Sequence, residues 1–268
     1  MPETALLQPI PLTVTDHGHR GTLPACAWFT SLQLLRIAGS AQLTTGDEES
    51  CALLLAGTFD LQGGPSHWGG RGARTAPLQG RPLAVFLPPR TLFAAGNGHG
   101  EILIVGARQP KADAPVTGLA AFSIKPLLPL SGSGKSFDPG TGEWRPAETF
   151  AANAELLPPR RIERTEVGTV AVERVFPVGY KAATLCIDEA ALAAGAQLDV
   201  GAIPDRPAAT ELLVYVRSEG RVSLHCGGTA TAVTGEGAFV LAYPRGAPQL
   251  RITADAGACY VMLAHAGK

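Results

Sequence analysis

Between Ser31 and Ile37 the chain reads S-L-Q-L-L-R-I. Leu32 and Leu34 alternate with polar neighbours, and the apolar phase slips by one at Leu35 and Ile37, which predicts a strand carrying a bulge. Further apolar runs follow at 51–55, 83–87 and 101–105, each bounded by Gly or Pro. A second set occupies 169–176, 182–187, 197–200, 211–216, 221–225, 238–243, 249–253 and 259–264. Many short strands separated by turn signals predict an all-β sandwich or barrel.

The two sets repeat in order and spacing. The first copy runs E-S-C-A-L-L-L-A-G-T-F-D-L from Glu49, then G-R-P-L-A-V-F-L-P-P from Gly80 and G-E-I-L-I-V-G-A from Gly100. The second runs E-L-L-V-Y-V-R-S-E-G-R-V-S-L from Glu211, then G-E-G-A-F-V-L-A-Y-P-R-G from Gly235 and G-A-C-Y-V-M-L-A-H-A-G from Gly257. An internal repeat of this kind predicts two β domains of one plan. We place them at 1–110 and 165–268, joined by a linker at 111–164 that is rich in Pro, Gly and Ser. Within the linker, 147–157 is a helical candidate. The piece S-G-S-G-K-S at 131–136 resembles a phosphate loop but lacks its first glycine, since position 129 is Pro, so a flexible linker is the expectation.

Composition narrows the function classes. Gly and Pro make up 32 and 22 of 268 residues, too dense for a helical bundle. Lys and Arg number 22 against 23 Asp and Glu, with no basic cluster, so polyanion or nucleic-acid binding is excluded. No apolar run approaches the roughly 18 residues of a membrane span. The first cation, Arg20, comes too late for a signal peptide, so the expected location is cytoplasmic. Five cysteines without a CxxC pair suggest neither a disulfide framework nor a zinc site.

Four stretches of the first half, T-T-G-D-E-E-S-C-A-L-L-L-A-G from Thr44, W-G-G-R-G-A-R from Trp68, G-R-P-L-A-V-F-L-P-P from Gly80 and G-E-I-L-I-V-G-A-R from Gly100, resemble the N-terminal cupin of the bacterial 5-deoxy-glucuronate isomerase family of myo-inositol catabolism. The stretches V-G-T-V-A-V-E-R-V-F-P from Val167 and C-Y-V-M-L-A-H-A-G from Cys259 are similar to its second half, and the pair looks like a bicupin. The resemblance implies aldehyde–ketone isomerisation of a sugar acid, with a divalent metal held in the second cupin by three histidines and a glutamate. Here the segment for the first two histidines reads A-I-P-D-R-P-A-A-T-E at 202–211, and that for the third reads P-R-G-A-P-Q at 244–249. Glu211 alone remains of the four, so we expect a metal-free second barrel, since one carboxylate does not hold a transition ion.

Two functions follow from this pattern. The first is an isomerase, with Glu211 as proton shuttle and Arg206 or Arg217 anchoring the substrate carboxylate. The second is a non-catalytic bicupin that binds a small sugar acid or serves as a structural or regulatory protein, with a homodimer as one form open to it. Period-two alternation puts Glu211, Leu213, Tyr215 and Arg217 on one side. If Glu211 keeps the family's orientation, Tyr215 and Arg217 line the barrel with it. Asp205, Tyr243 and Arg245 are the remaining candidates for substrate contact. Asp47, Glu48 and Glu49 read as a solvated turn, His17 and His19 as a solvated pair, and Trp68 and Arg71 as pins of their loop. His225 and Cys226, being adjacent on a strand, should face opposite ways.

Overall fold

The computed structural model describes residues 7–109, 135–138, 143–146, 154–157, 162–176, 184–204, 209–243 and 248–267. Their strands form two large antiparallel sheets. The first contains β2 (Leu12–Thr15), β3 (Gly18–Gly21), β4 (Phe29–Thr44), β5 (Glu48–Gly63), β6 (Ser66–Arg71), β7 (Leu83–Leu87), β8 (Leu92–Arg108) and β11 (Glu155–Leu157). The second contains β1 (Leu7–Pro9), β12 (Glu163–Val167), β13 (Val170–Phe176), β14 (Leu185–Leu192), β15 (Gln197–Asp199), β16 (Glu211–Cys226), β17 (Thr229–Ala242), β18 (Leu250–Ala256) and β19 (Cys259–Ala266). A separate hairpin pairs β9 (Lys135–Asp138) with β10 (Glu143–Pro146). Among the described residues no helix is long and apolar enough to cross a membrane.

Strand exchange crosses the expected divisions of the chain. β1 leaves the first domain to pair with β17, while β11 returns from the linker to pair with β7. The helix expected at 147–157 is corrected where it is described: residues 155–157 are a strand, because Leu156 and Leu157 complete apolar surfaces on either side of the first sheet. Residues 147–153, and the loop-like 131–134, lie outside the described residues.

Three apolar cores explain the strand patterns. Alternate residues of β5 go to opposite sides: Ala52 and Leu54 fill the inside of the first barrel, while Cys51, Leu53 and Leu55 face the second domain. In β16, Leu212, Val214 and Val216 fill the second barrel, and Leu213 and Tyr215 join the seam between domains. The phase slip at Leu35 therefore needs no bulge. Leu32 and Leu34 pack in the seam, Leu35 and Ile37 against the first barrel's core, and the register shifts of β4 fall instead between Phe29 and Ser31 and between Gly39 and Ala41. A strand buried on both faces loses its polar phase. The runs expected at 211–216 and 221–225 are likewise one strand, with an irregularity between Arg217 and Arg221.

Candidate functional site

Glu211, Tyr215 and Arg217 share one side of β16 as alternation requires, but that side is the seam. The expectation that they line the second barrel is corrected. Glu211 is buried, with its Oε1 accepting from the amide of Ala27 at 2.5 Å and its Oε2 from Trp28 at 2.9 Å and Phe29 at 3.3 Å. Tyr215 packs edge-on against Tyr260, and burial raises its phenol above the ordinary range. Arg217 pairs with Glu101 of the first domain. The inside was filled by the other parity because Leu212, Val214 and Val216 offer more apolar surface there than Glu and Arg could.

Glu49, at the matching position of the repeat, does the same work in reverse. It is fully buried, so the solvated-turn reading is corrected for this residue. Its Oε1 accepts from the amides of Thr184 at 2.8 Å and Leu185 at 2.9 Å and from the Thr184 hydroxyl at 2.8 Å. Each domain thus holds the start of a strand of the other through one buried carboxylate. Asp47 stays exposed and pairs with Arg90, and Glu48 accepts from the amide of Gly46. His19 is not part of a solvated pair, since its Nδ1 lies 3.3 Å from Glu236 in the seam.

The seam also holds a buried ion pair. Arg74 forks onto Glu189 at 2.7 and 3.1 Å, and the Tyr260 hydroxyl donates to Glu189 Oε2 at 2.8 Å. Burial pushes the Glu189 carboxyl up to about 7, against the opposing pull of Arg74 and Tyr260.

Inside the second barrel, β13, β14 and β19 bring together Arg174, Asp188 and His265. Arg174 Nε donates to Asp188 Oδ1 at 3.2 Å, its other arm reaches the Pro204 carbonyl, and His265 Nε2 lies 3.8 Å from Asp188 Oδ2. Asp188 and His265 are both 0% exposed. Sequence reasoning passed over this cluster. The available signal was phase: 174, 188 and 265 fall on the same parity as Val172, Ala190 and Leu263, all inward. Tyr243 is buried in this same core, at the end of β17. Asp205, Arg206 and Arg245 lie outside the described residues.

A metal of the kind the resemblance implies does not fit these residues. The described inner wall is apolar apart from this cluster and the Tyr243 hydroxyl, the cluster's centre already contains a guanidinium, and Glu211 is turned away and engaged by amides. Among the described residues no three His, Cys, Asp or Glu side chains are grouped to hold an ion. His225 is exposed and Cys226 buried, facing opposite ways as expected.

The first barrel differs at one end. A pocket of about 550 Å³ is lined by Leu54, Leu83 and Leu156 and by the polar residues Arg71, Arg74, Thr75, Gln79 and Arg81. Its loop is pinned to β5 by Gly57 N–H to the Arg74 carbonyl at 2.7 Å, Thr58 Oγ1 to the Gly72 carbonyl at 3.1 Å, and Gly70 N–H to Asp60 Oδ1 at 2.7 Å. Gly72 sits at φ +100°, and a Cβ there would meet the Gly57 carbonyl at 2.3 Å. Trp68 packs against the first barrel's core, as expected of a pin, but Arg71 is exposed and makes no ion pair or hydrogen bond from its side chain among the described residues.

No protein-family model matches the chain, and no curated protein matches it in sequence. In structure it is similar to an IolB-like protein from Salmonella typhimurium LT2, with TM-score 0.67 and 18% identity over 98% of this chain and 92% of that one. It is also similar to quercetin 2,3-dioxygenase from Acinetobacter baumannii, with TM-score 0.54 and 8% identity over 97% and 78% of the two chains. A variant of oxalate decarboxylase from Bacillus subtilis gives TM-score 0.52 and 11% identity over 99% and 78%. The chain is an all-β protein of two cupin barrels.

Proposed function

We propose that this bicupin binds a small sugar acid of inositol or uronate metabolism without a metal and does not isomerise it. The motifs from Thr44 to Arg108 and the likeness to the IolB-like protein support the ligand class. The single observation that carries the reading is the fate of Glu211, whose carboxylate accepts three backbone amides in the seam. Moving a proton between neighbouring carbons through an enediol needs a base at the substrate and a group to hold the developing oxyanion. Glu211 is placed for neither, and its role here is to join the domains, as is that of Arg217.

A second reading is favoured by the Arg174–Asp188–His265 cluster: a metal-independent isomerase in which His265, oriented by Asp188, takes the proton from one carbon and returns it to the next. Proton NMR of 5-deoxy-glucuronate incubated with the full chain, with and without EDTA, separates the cases. We expect the aldehyde signals to persist unchanged under both conditions. Turnover insensitive to EDTA and lost in His265→Gln would establish the second reading, whereas turnover abolished by EDTA would overturn both.

A further inference from the structure

Three arginines meet at the pocket of the first barrel, and two of them are already matched. Arg74 is engaged by Glu189 through two hydrogen bonds, and Arg81 pairs with Glu173 at 2.9 Å, with a further bond to the Ile162 carbonyl. Both acids come from the second domain. Among the described residues Arg71 is the pocket's third cation, and no described Asp, Glu or His lines the pocket to oppose it. Leu54, Leu83 and Leu156 line the same pocket, together with Thr75, whose hydroxyl donates to the Gln79 side-chain oxygen, and Gln79, whose amide N–H groups are left as donors. An apolar cavity of a few hundred Å³ with a few convergent polar groups is the usual form of a small-molecule site.

We propose that this pocket is the ligand site of the protein, taking one carboxylate group on Arg71 while the carbon skeleton lies over Leu54, Leu83 and Leu156. The proposal rests on the sugar-acid reading for the identity of the ligand, and on the pocket alone for the anchor. One unmatched guanidinium suits one carboxylate, and its planar fork binds that group through two parallel hydrogen bonds. The same geometry selects a monoanion over a dianion, because the second charge finds both other arginines taken. It also accords with binding without turnover, since the described lining residues include no carboxylate or imidazole to act as a base. A wider cleft of about 670 Å³ on the second barrel serves an anion less well: Arg251 and His225 stand there beside the carboxylate of Asp199.

Calorimetric titration of D-glucuronate and, separately, of acetate into the full chain, the Arg71→Ala and the Arg71→Lys variants, with D-glucose as the neutral control, tests the site. Arg71 is exposed, so neither variant threatens the fold. We expect glucuronate to bind the natural protein, glucose to bind far more weakly, Arg71→Ala to weaken glucuronate about 10- to 100-fold, and Arg71→Lys to fall between. Glucuronate binding unchanged in Arg71→Ala would overturn the pocket and leave the sugar-acid reading standing. Acetate bound through Arg71 with no uptake of glucuronate would keep the pocket and remove that reading. No Arg71-dependent binding of either acid would overturn the pocket.

Discussion

The two barrels share one plan and have opposite insides. In the first, strand ends and a glycine loop line an open pocket that Arg71, unpaired among the described residues, shares with Leu54, Leu83 and Leu156. In the second, the inward positions are filled mostly by Val, Leu and Ile with Phe239 and Tyr243, and the charged cluster of Arg174, Asp188 and His265 is closed on itself. The difference teaches that the two copies match at the joint between them more than in the chemistry inside. Glu49 and Glu211 occupy matching places and each accepts backbone donors from the other domain, although the cavities beneath them have diverged.

The largest effect that sharpens this contrast is expected from the two buried ion pairs. Removing one partner leaves an unpaired buried charge, which costs about 3–5 kcal/mol. Glu189→Ala strands Arg74 in the seam, and Asp188→Ala strands Arg174 inside the second barrel. Both should lower Tm by roughly 10 °C, since about 2–4 °C accompanies each kcal/mol at this chain length. Glu189→Ala should also alter glucuronate binding, because it changes the charge of a pocket wall, whereas Asp188→Ala should leave binding intact. Thermal unfolding followed by titration reads both, and equal effects on binding would break the distinction between the barrels.

A smaller effect is the pH dependence of the seam. Glu189 titrates at about 7 in the folded chain, above its ordinary value of 4.5, so the folded state holds its proton more tightly than the unfolded one. Its contribution to stability is complete below about pH 4.5 and is lost as pH rises through about 7. The groups facing it are Arg74, Tyr260, Glu173 and Cys51. Across that window the Tm of Glu189→Gln should fall less steeply than that of the natural protein, and identical slopes would contradict the assignment. The smallest effect belongs to Arg71→Ala, whose stability should lie within about 0.5 kcal/mol of the natural protein, in contrast to its effect on binding.

The strands were legible because alternation and Gly or Pro turns are local signals. Alternation also showed correctly that Glu211, Tyr215 and Arg217 share a side. It could not say which side is the inside, because β16 is apolar in both phases, with Leu212 and Val214 on one and Leu213 and Tyr215 on the other. That choice is made by the packing of two domains together, which no short window contains. The pocket was half legible. Arg71 stood out within a family-like motif, but whether it is free depends on Arg74 finding Glu189 and Arg81 finding Glu173, contacts that span 115 and 92 residues. The inward cluster of the second barrel is visible in phase, but its grouping depends on β13, β14 and β19 pairing side by side, which no short window contains.

The role of Glu211 is tested most directly by unfolding Glu49→Gln and Glu211→Gln side by side and titrating each with glucuronate. A neutral amide in place of the carboxylate loses the charge that holds the opposing N–H groups, so each variant should be destabilised by about 2–3 kcal/mol, by similar amounts, with glucuronate affinity unchanged. A Glu211→Gln protein that unfolds like the natural one and no longer binds the acid would contradict the account.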